Sequence, residues 1–365
     1  MQGTAWRASA FARQLGLSAP IVQGPFGGGL SSVELAAVVS EAGGLGSFGV
    51  HHLGGEGIHE VAQAIRARTH RPFALNLWIP HEDSEDPTLS QEAFDEAAVT
   101  LQPYYEELGV SLPSKPVRFT PPYTEQIAAV LEARPAVFSF VFGIPDPAVL
   151  ARCRELGIMT IGTVTSVSEA QALERAGVDA IVASGFEAGG HRVSFLRAPE
   201  ESLMGTLSLV PMVVDAVRIP VIAAGGIADG RGVAAALCLG AQGVQIGTAF
   251  LACDESAAPE VHRTALRGPE AGDTVLTRAF TGRLARGIRN AFTESMRVHT
   301  GAYARYPVQA WLTARYKQAA IEQRRSDLLS LWSGQSAPLI RHHKASDLFA
   351  ALVQETDRVL ASASI

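Results

Sequence analysis

Short apolar runs, many bounded by glycine, alternate along the chain with longer stretches whose apolar residues recur every three to four positions. The first pattern reads as buried strands and the second as helices with one buried face. Eight strand-like runs follow in order: "PIVQG" (20–24), "LGSFG" (45–49), "FALNLW" (73–78), "AVFSFVFG" (136–143), "IMTIGTV" (158–164), "DAIVAS" (179–184), "IPVIAAGG" (219–226) and "AQGVQIGT" (241–248). Helix-like segments separate them, among them "SSVELAAVVSEAGG", where Ser31 and Glu34 have capping-box spacing and Gly43 is a stop signal. Strands apolar on both faces and joined by helices are parallel strands. Eight of them predict an α/β fold, a closed (β/α)8 barrel of the TIM type. A doubly wound open sheet is the competing layout. The count of eight, with glycines after the seventh and eighth strands, selects the barrel.

Two regions break the repeat. Residues 80–125, rich in Pro, Glu and Asp, form a connection longer than ordinary βα loops. Residues 256–330 read as a smaller, mainly helical substrate or lid domain, with "RAFTGRLARGI" (278–288) as a polar, turn-like insert. The expected division is therefore a barrel over 1–255 carrying the insertion, a lid over 256–330, and a C-terminal helix in 331–365 packing back on the barrel.

Charge narrows the partners. Thirty basic against 36 acidic residues give a net charge of −6, with no basic block of the kind that binds nucleic acid. A small-molecule partner is expected, with no nucleic acid and no membrane, and a homo-oligomer is left open. Cys153, Cys238 and Cys253 are scattered and lack metal-ligand spacing; two lie in or beside helical segments and read as small buried hydrophobes, which favours a reducing compartment. The N-terminus lacks an apolar signal region and no window approaches a membrane span, so the expected location is the cytoplasm.

Ligands of such barrels sit at the C-terminal strand ends, with phosphates after strands seven and eight. Gly225-Gly226 and Gly247-Thr248 occupy those places and expose backbone N–H groups. Other strand ends bring Gln23 and Gly24, Asn76, Ser184 and Gln245 toward the same mouth. The Asn76 amide, between two leucines, either satisfies a buried backbone group or reads the heteroatoms of a flat ring.

Directly after the sixth strand comes "GFEAGGHR" (185–192). Two adjacent glycines let the backbone approach a ligand, and His191 is then placed over the mouth as a proton acceptor or donor. Glu187 orients the loop or the ring, and Arg192 holds an anion or faces solvent; the residues alone leave both open. The three histidines of "HHLGGEGIHE" (51–60) follow the second strand into a helix and show no metal-ligand repeat, so no metal site is expected. A nucleophile elbow, a P-loop and a dinucleotide fingerprint after a strand are all missing.

In order, "IVQGPFGGGLSSVELAAVVSEAGGLGSFG", "FALNLW", "ASGFEAGGHR", "PVIAAGGIADGRGVAAALCLGAQGVQIGTAFL" and "FTGRLARGI" resemble the nitronate monooxygenase family, formerly 2-nitropropane dioxygenases. The resemblance spans residues 20–292 and extends more weakly into "YPVQAWLT" and "LWSGQ". It implies an FMN-bearing barrel with flavin contacts at Gln23, Asn76, Gly189, Gly226 and Gln245-Ile246-Gly247-Thr248. It also implies His191 as the catalytic residue, oxidising alkyl nitronates or nitroalkanes with O2 to carbonyl compounds and nitrite. This chain has Ser184 where many relatives have glutamine, and Pro25-Phe26 where the motif often ends Pro-Met. Two other functions fit the motifs: an FMN-dependent NAD(P)H oxidoreductase, of the enoyl-acyl-carrier-protein reductase or quinone reductase kind, and a flavin-binding protein without turnover.

Overall fold

The computed structural model describes residues 2–80, 89–298 and 303–362. Eight parallel strands form the barrel: β1 (Ile21–Gln23), β2 (Gly46–Gly49), β3 (Phe73–Trp78), β4 (Val137–Val141), β5 (Met159–Val164), β6 (Ala180–Ser184), β8 (Val221–Ala224) and β9 (Gly243–Ile246). A two-residue strand, β7 (Gly190–His191), lies between β6 and β8 in the chain and belongs to another sheet. The hydrogen-bonded order is β1-β9-β8-β6-β5-β4-β3-β2, and a parallel bridge from Val22 to Leu45 joins its two ends. The expected (β/α)8 barrel is the observed fold.

Alternation along each strand determines what the barrel holds. Val22, Ala74, Val137, Ile161, Val182 and Ile222 form one apolar cluster with Phe11 of the N-terminal helix α1 (Ala10–Leu15). Two residues further along the same strands come Gly24, Asn76, Ser139, Thr163, Ser184 and Ala224. A period of two keeps these on the face of that cluster, so the interior turns small and polar toward the C-terminal strand ends.

Helices α2 (Val33–Glu41), α3 (Gly55–Arg66), α4 (Gln91–Glu107), α5 (Tyr123–Ala133), α6 (Pro147–Leu156), α7 (Val167–Ala176), α8 (Thr206–Ala216) and α9 (Gly230–Cys238) follow the strands. Their starts are sealed locally: the side chains of Ser166, Asp146 and Asp229 accept from the first-turn N–H groups of α7, α6 and α9. For α2 the cap is Ser32, whose hydroxyl takes the Leu35 N–H, and not Ser31. The Ser31 hydroxyl instead donates to the Phe26 carbonyl at 2.9 Å and accepts from the Gly49 N–H at 3.1 Å, bracing the loop after β1.

After β9 come α10 (Thr248–Leu251), α11 (Glu260–Arg267), β10 (Thr274–Thr277), β11 (Ala285–Ile288), α12 (Ala291–Arg297), α13 (Val308–Glu322) and α14 (Ala345–Ser362). The stretch read as a turn therefore contains strand β11, which pairs antiparallel with β10 on one side and β7 on the other. Its arginine disguised it. The Arg286 guanidinium is buried but donates to the Phe186 carbonyl and the Thr274 hydroxyl, both at 3.0 Å. The first residues of the 80–125 connection, 81–88, lie outside the described residues, and the rest holds α4 and α5. Helix α4 docks on the later segment: the Tyr105 hydroxyl donates to the Leu312 carbonyl of α13 at 2.6 Å. Helix α14 lies against α9, where Glu355 accepts the Gly230 N–H at 2.9 Å. No helix among the described residues is long and apolar enough to cross a membrane.

Candidate active site

A cavity of about 470 Å³ opens at the C-terminal strand ends. Gly24, Asn76, Ser184, Gly189, His191, Gly225, Gly226, Gln245, Gly247 and Thr248 all line it. Gln23 and Ile246 do not, and the strand period explains why. Gln23 follows the inward Val22, and Ile246 follows the inward Gln245, so both face the helix layer. The Gln23 amide is fully buried, accepts the Ser47 N–H at 2.9 Å and donates to the Gly24 carbonyl. It staples β1 to β2. Ile246 is core, and its carbonyl accepts the Gly24 N–H at 2.9 Å.

The floor of the cavity is bare backbone. Gly225 (φ 101°) and Gly226 (φ 73°) turn the chain after β8 in the left-handed region that side chains disfavour. A Cβ on Gly189 would lie 2.6 Å from the Gly334 nitrogen, so Gly189 passes against Ser333-Gly334 with no room for a side chain. The Gly334 N–H in turn donates to the Thr248 hydroxyl at 2.9 Å. Ser333-Gly334 thus completes the floor from a segment the strand pattern does not reach; the small pair in "LWSGQ" was its only mark in the sequence. Backbone N–H groups crowded this closely suit a phosphate. Asn76 donates to the Ser139 hydroxyl at 3.0 Å, and with Gln245 it brings side-chain amides to the wall above.

Glu187 and Arg192 are braces. The Glu187 carboxylate accepts the Thr206 N–H at 2.9 Å and the Thr206 hydroxyl at 2.9 Å, closing the start of α8. Arg192 is 2% exposed and donates to the carbonyls of Gly185 (2.8 Å), Ser184 (3.2 Å) and Ser202 (2.8 Å). Burial, with Arg286 nearby, lowers its pKa to about 10, so it stays charged at neutral pH. It knots the loop after β6 and faces neither solvent nor the main cavity.

His191 sits on β7, and its backbone register opposite Ala285 of β11 fixes its place. Its Nε2 lies 2.9 Å from the Thr281 hydroxyl, which itself donates to the Arg283 carbonyl at 3.1 Å. With that hydroxyl proton committed, Nε2 carries the imidazole proton and Nδ1 is the basic atom. Around the ring stand Trp78 (centroids 4.9 Å apart), Trp332 (5.4 Å) and Phe142 (6.2 Å). Burial first, and the Arg283 charge second, push its pKa down to about 3. The imidazole is therefore neutral near pH 7.

The strand pattern also missed an aromatic and cationic group beside it. The Arg283 guanidinium lies 4.1 Å from the ring centroids of both Phe142 and Tyr306. Phe142 holds φ 69°, a left-handed backbone that is strained for an aromatic residue. His51 stacks on Trp78 with centroids 4.0 Å apart and planes 6° from parallel. Burial lowers its pKa, and His52, His191 and Arg283 add to that. His59 instead pairs with Glu132 at 3.1 Å on the outer surface. Cys153 and Cys253 are buried, with burial pushing their thiols up to about 11 and about 12, whereas Cys238 is exposed.

A parallel barrel with a glycine floor at β8 and β9, amides above it and a neutral histidine under an aromatic roof defines a barrel enzyme with a ligand cavity at its C-terminal strand ends. The sequence profile of the family described as nitronate monooxygenase matches residues 10–355, and the chain belongs to that family. A protein of Staphylococcus aureus named "Probable nitronate monooxygenase" is 39% identical over 356 residues, covering 97% of this chain and 99% of that one. The crystal structure of a nitroalkane oxidase from Streptomyces ansochromogenes superposes with a TM-score of 0.88 at 38% identity, covering 98% of this chain and all of its own. FabK from Thermotoga maritima superposes at 0.75 with 29% identity, covering 97% of this chain and 98% of its own. Membership makes this chain an enzyme, an oxidoreductase with a flavin cofactor whose family chemistry is the oxidation of nitro compounds.

Proposed function

We propose that the chain is an FMN-dependent monooxygenase that oxidises alkyl nitronates, and neutral nitroalkanes, with O2 to carbonyl compounds and nitrite. The observation that carries this reading is His191, a neutral imidazole held by Thr281 and walled by Trp78 and Trp332 at the edge of the glycine-floored cavity. FMN supplies the electron acceptor and the site of reaction with O2.

The remaining chemistry belongs to side chains and backbone. Gly225, Gly226, Gly247 and Thr248, with Gly189 against Ser333-Gly334, would hold the phosphate, and Gly24, Asn76, Ser184 and Gln245 would flank the ring system. Nδ1 of His191 takes the α-proton of a neutral nitroalkane, leaving the nitronate, while its Nε2–H stays on Thr281. For a nitronate supplied as such, no proton is removed. Trp78, Trp332 and Phe280 line or border the chamber and exclude water. The segment 256–330, contributing Phe280, Tyr306 and Lys317 to the wall, serves as the substrate lid.

The test is product analysis. Aerobic turnover of an alkyl nitronate should release nitrite and the carbonyl compound in equal amounts, with FMN as the flavin freed on denaturation. His191→Ala should keep its FMN and lose about 10²–10⁴-fold in turnover of the neutral nitroalkane, the usual worth of a positioned base. Nitrite without carbonyl product, or full nitroalkane turnover by His191→Ala, contradicts the reading.

A further inference from the structure

The histidine pair after β2 has no part in the chemistry proposed above, yet His51 lines the cavity. Its place is set by the backbone. Gln126 of α5, itself buried, donates to the carbonyls of His51 and Leu53, both at 2.8 Å. The Leu53 N–H closes the turn on the Val50 carbonyl at 2.9 Å. His51 therefore leaves a pinned loop, and its ring lies flat on Trp78 with centroids 4.0 Å apart.

Among the described residues, His51 alone lies parallel to the Trp78 indole. The rings of Phe142, His191 and Tyr306 stand at 62°, 71° and 41° to it, and the Arg283 guanidinium is 5.5 Å away. Tilted and edge contacts touch the indole at points, whereas a parallel ring at contact distance covers a face and fixes its plane. The loop after β1 leaves room for this stack. A Cβ on Gly27 would lie 2.6 Å from Cε1 of His51 and 3.5 Å from Cζ2 of Trp78. Gly27 does not hold a positive φ, so its missing side chain serves the two rings and not the backbone. Nδ1 of His51 has no hydrogen-bond partner among the described residues, and burial keeps the ring uncharged. What the side chain gives Trp78 is a flat, neutral face.

We propose that His51 is a positioning residue for proton abstraction: it holds the plane of Trp78, and Trp78 in turn holds the His191 ring against the α-carbon of a neutral nitroalkane. The inference rests on the reaction proposed above. The hydrogen bond between Nε2 and Thr281 fixes one atom of the imidazole and not its plane, so the surrounding rings must supply the rest. Trp78 is the nearest of them, at 4.9 Å against 5.4 Å for Trp332 and 6.2 Å for Phe142. A nitronate has no proton to lose, so its turnover does not depend on this alignment.

Two variants of the flavin-loaded enzyme disturb the stack in different ways. His51→Ala removes the parallel ring, and Gly27→Ala keeps that ring but drives a Cβ into it. In each, kcat for a neutral nitroalkane should fall about 10- to 100-fold, the scale of misplacing a reacting group by about an ångström. Anaerobic flavin reduction by the nitroalkane should slow by the same factor. Turnover of the corresponding nitronate, and flavin content, should stay close to the parent's. If His51→Ala fails to fold, Gly27→Ala alone decides. Equal losses on both substrates would mean that His51 touches the substrate or only supports the fold, and unchanged nitroalkane turnover would make it a passive wall; either result overturns the proposal. A parent enzyme that turns over neither compound overturns the proposed reaction itself, and the inference with it.

Discussion

His191 is kept uncharged by its surroundings, and this has a signature in stability as well as in turnover. In the unfolded chain it titrates near the ordinary histidine value, whereas in the folded protein burial and Arg283 lower the pKa to about 3. Below the ordinary value the unfolded state binds the extra proton, so stability is fully present above about pH 6.5 and declines as pH falls toward 3. His262, lowered to about 4 chiefly by burial, acts in the same direction. His191→Gln cannot charge, so acid unfolding followed between pH 7 and 3.5 should show a shallower loss of stability in this variant. An identical slope would mean that His191 titrates normally in the folded state. For the same reason, nitroalkane turnover should show no protonation of the base between pH 5 and 8.

Among elements, the junction of β7 with β11 decides where His191 stands. The barrel strands were legible because apolar alternation and glycine stops mark them directly. The inward Asn76, Thr163 and Ser184 were also readable, as polar residues two places beyond apolar ones. The same alternation turns Gln23 and Ile246 away from the cavity. β11 was not legible, because its arginine and glycine resemble a solvated turn until Phe186 and Thr274 supply acceptors for Arg286. Nor was the pass of Gly189 against Ser333-Gly334, which joins positions far apart in the chain. It gives an element-scale prediction: Gly189→Ala must displace Gly334, a backbone neighbour that cannot rotate away. Purified Gly189→Ala should hold much less flavin per chain than the parent, read from the ratio of visible to ultraviolet absorbance. Full flavin content would remove this contact from the cofactor bed.

The whole molecule is a barrel clasped at both sides. Helix α4 of the long connection docks on α13 through Tyr105, and α14 closes over α9 and α2 with Asp357 accepting from Trp6 at 2.9 Å. The tightest point of the second clasp is Gly230, where a Cβ would lie 2.2 Å from that of Glu355 and 2.5 Å from the Thr356 nitrogen. Gly230→Ala should therefore unseat α14 and lower stability by about 1–3 kcal/mol, the usual cost of overpacking, measured as a fall in the urea midpoint. An unchanged midpoint would show that α14 contributes little to the fold.

At the same scale, electrons should enter from a nitro compound and not from a nicotinamide. Anaerobic rapid mixing of the flavin-loaded protein with an alkyl nitronate, and separately with NADH and NADPH, distinguishes the two through the visible flavin absorbance. Bleaching by the nitronate is expected, and none by either nicotinamide. Rapid bleaching by NADH or NADPH with no response to the nitronate would contradict it.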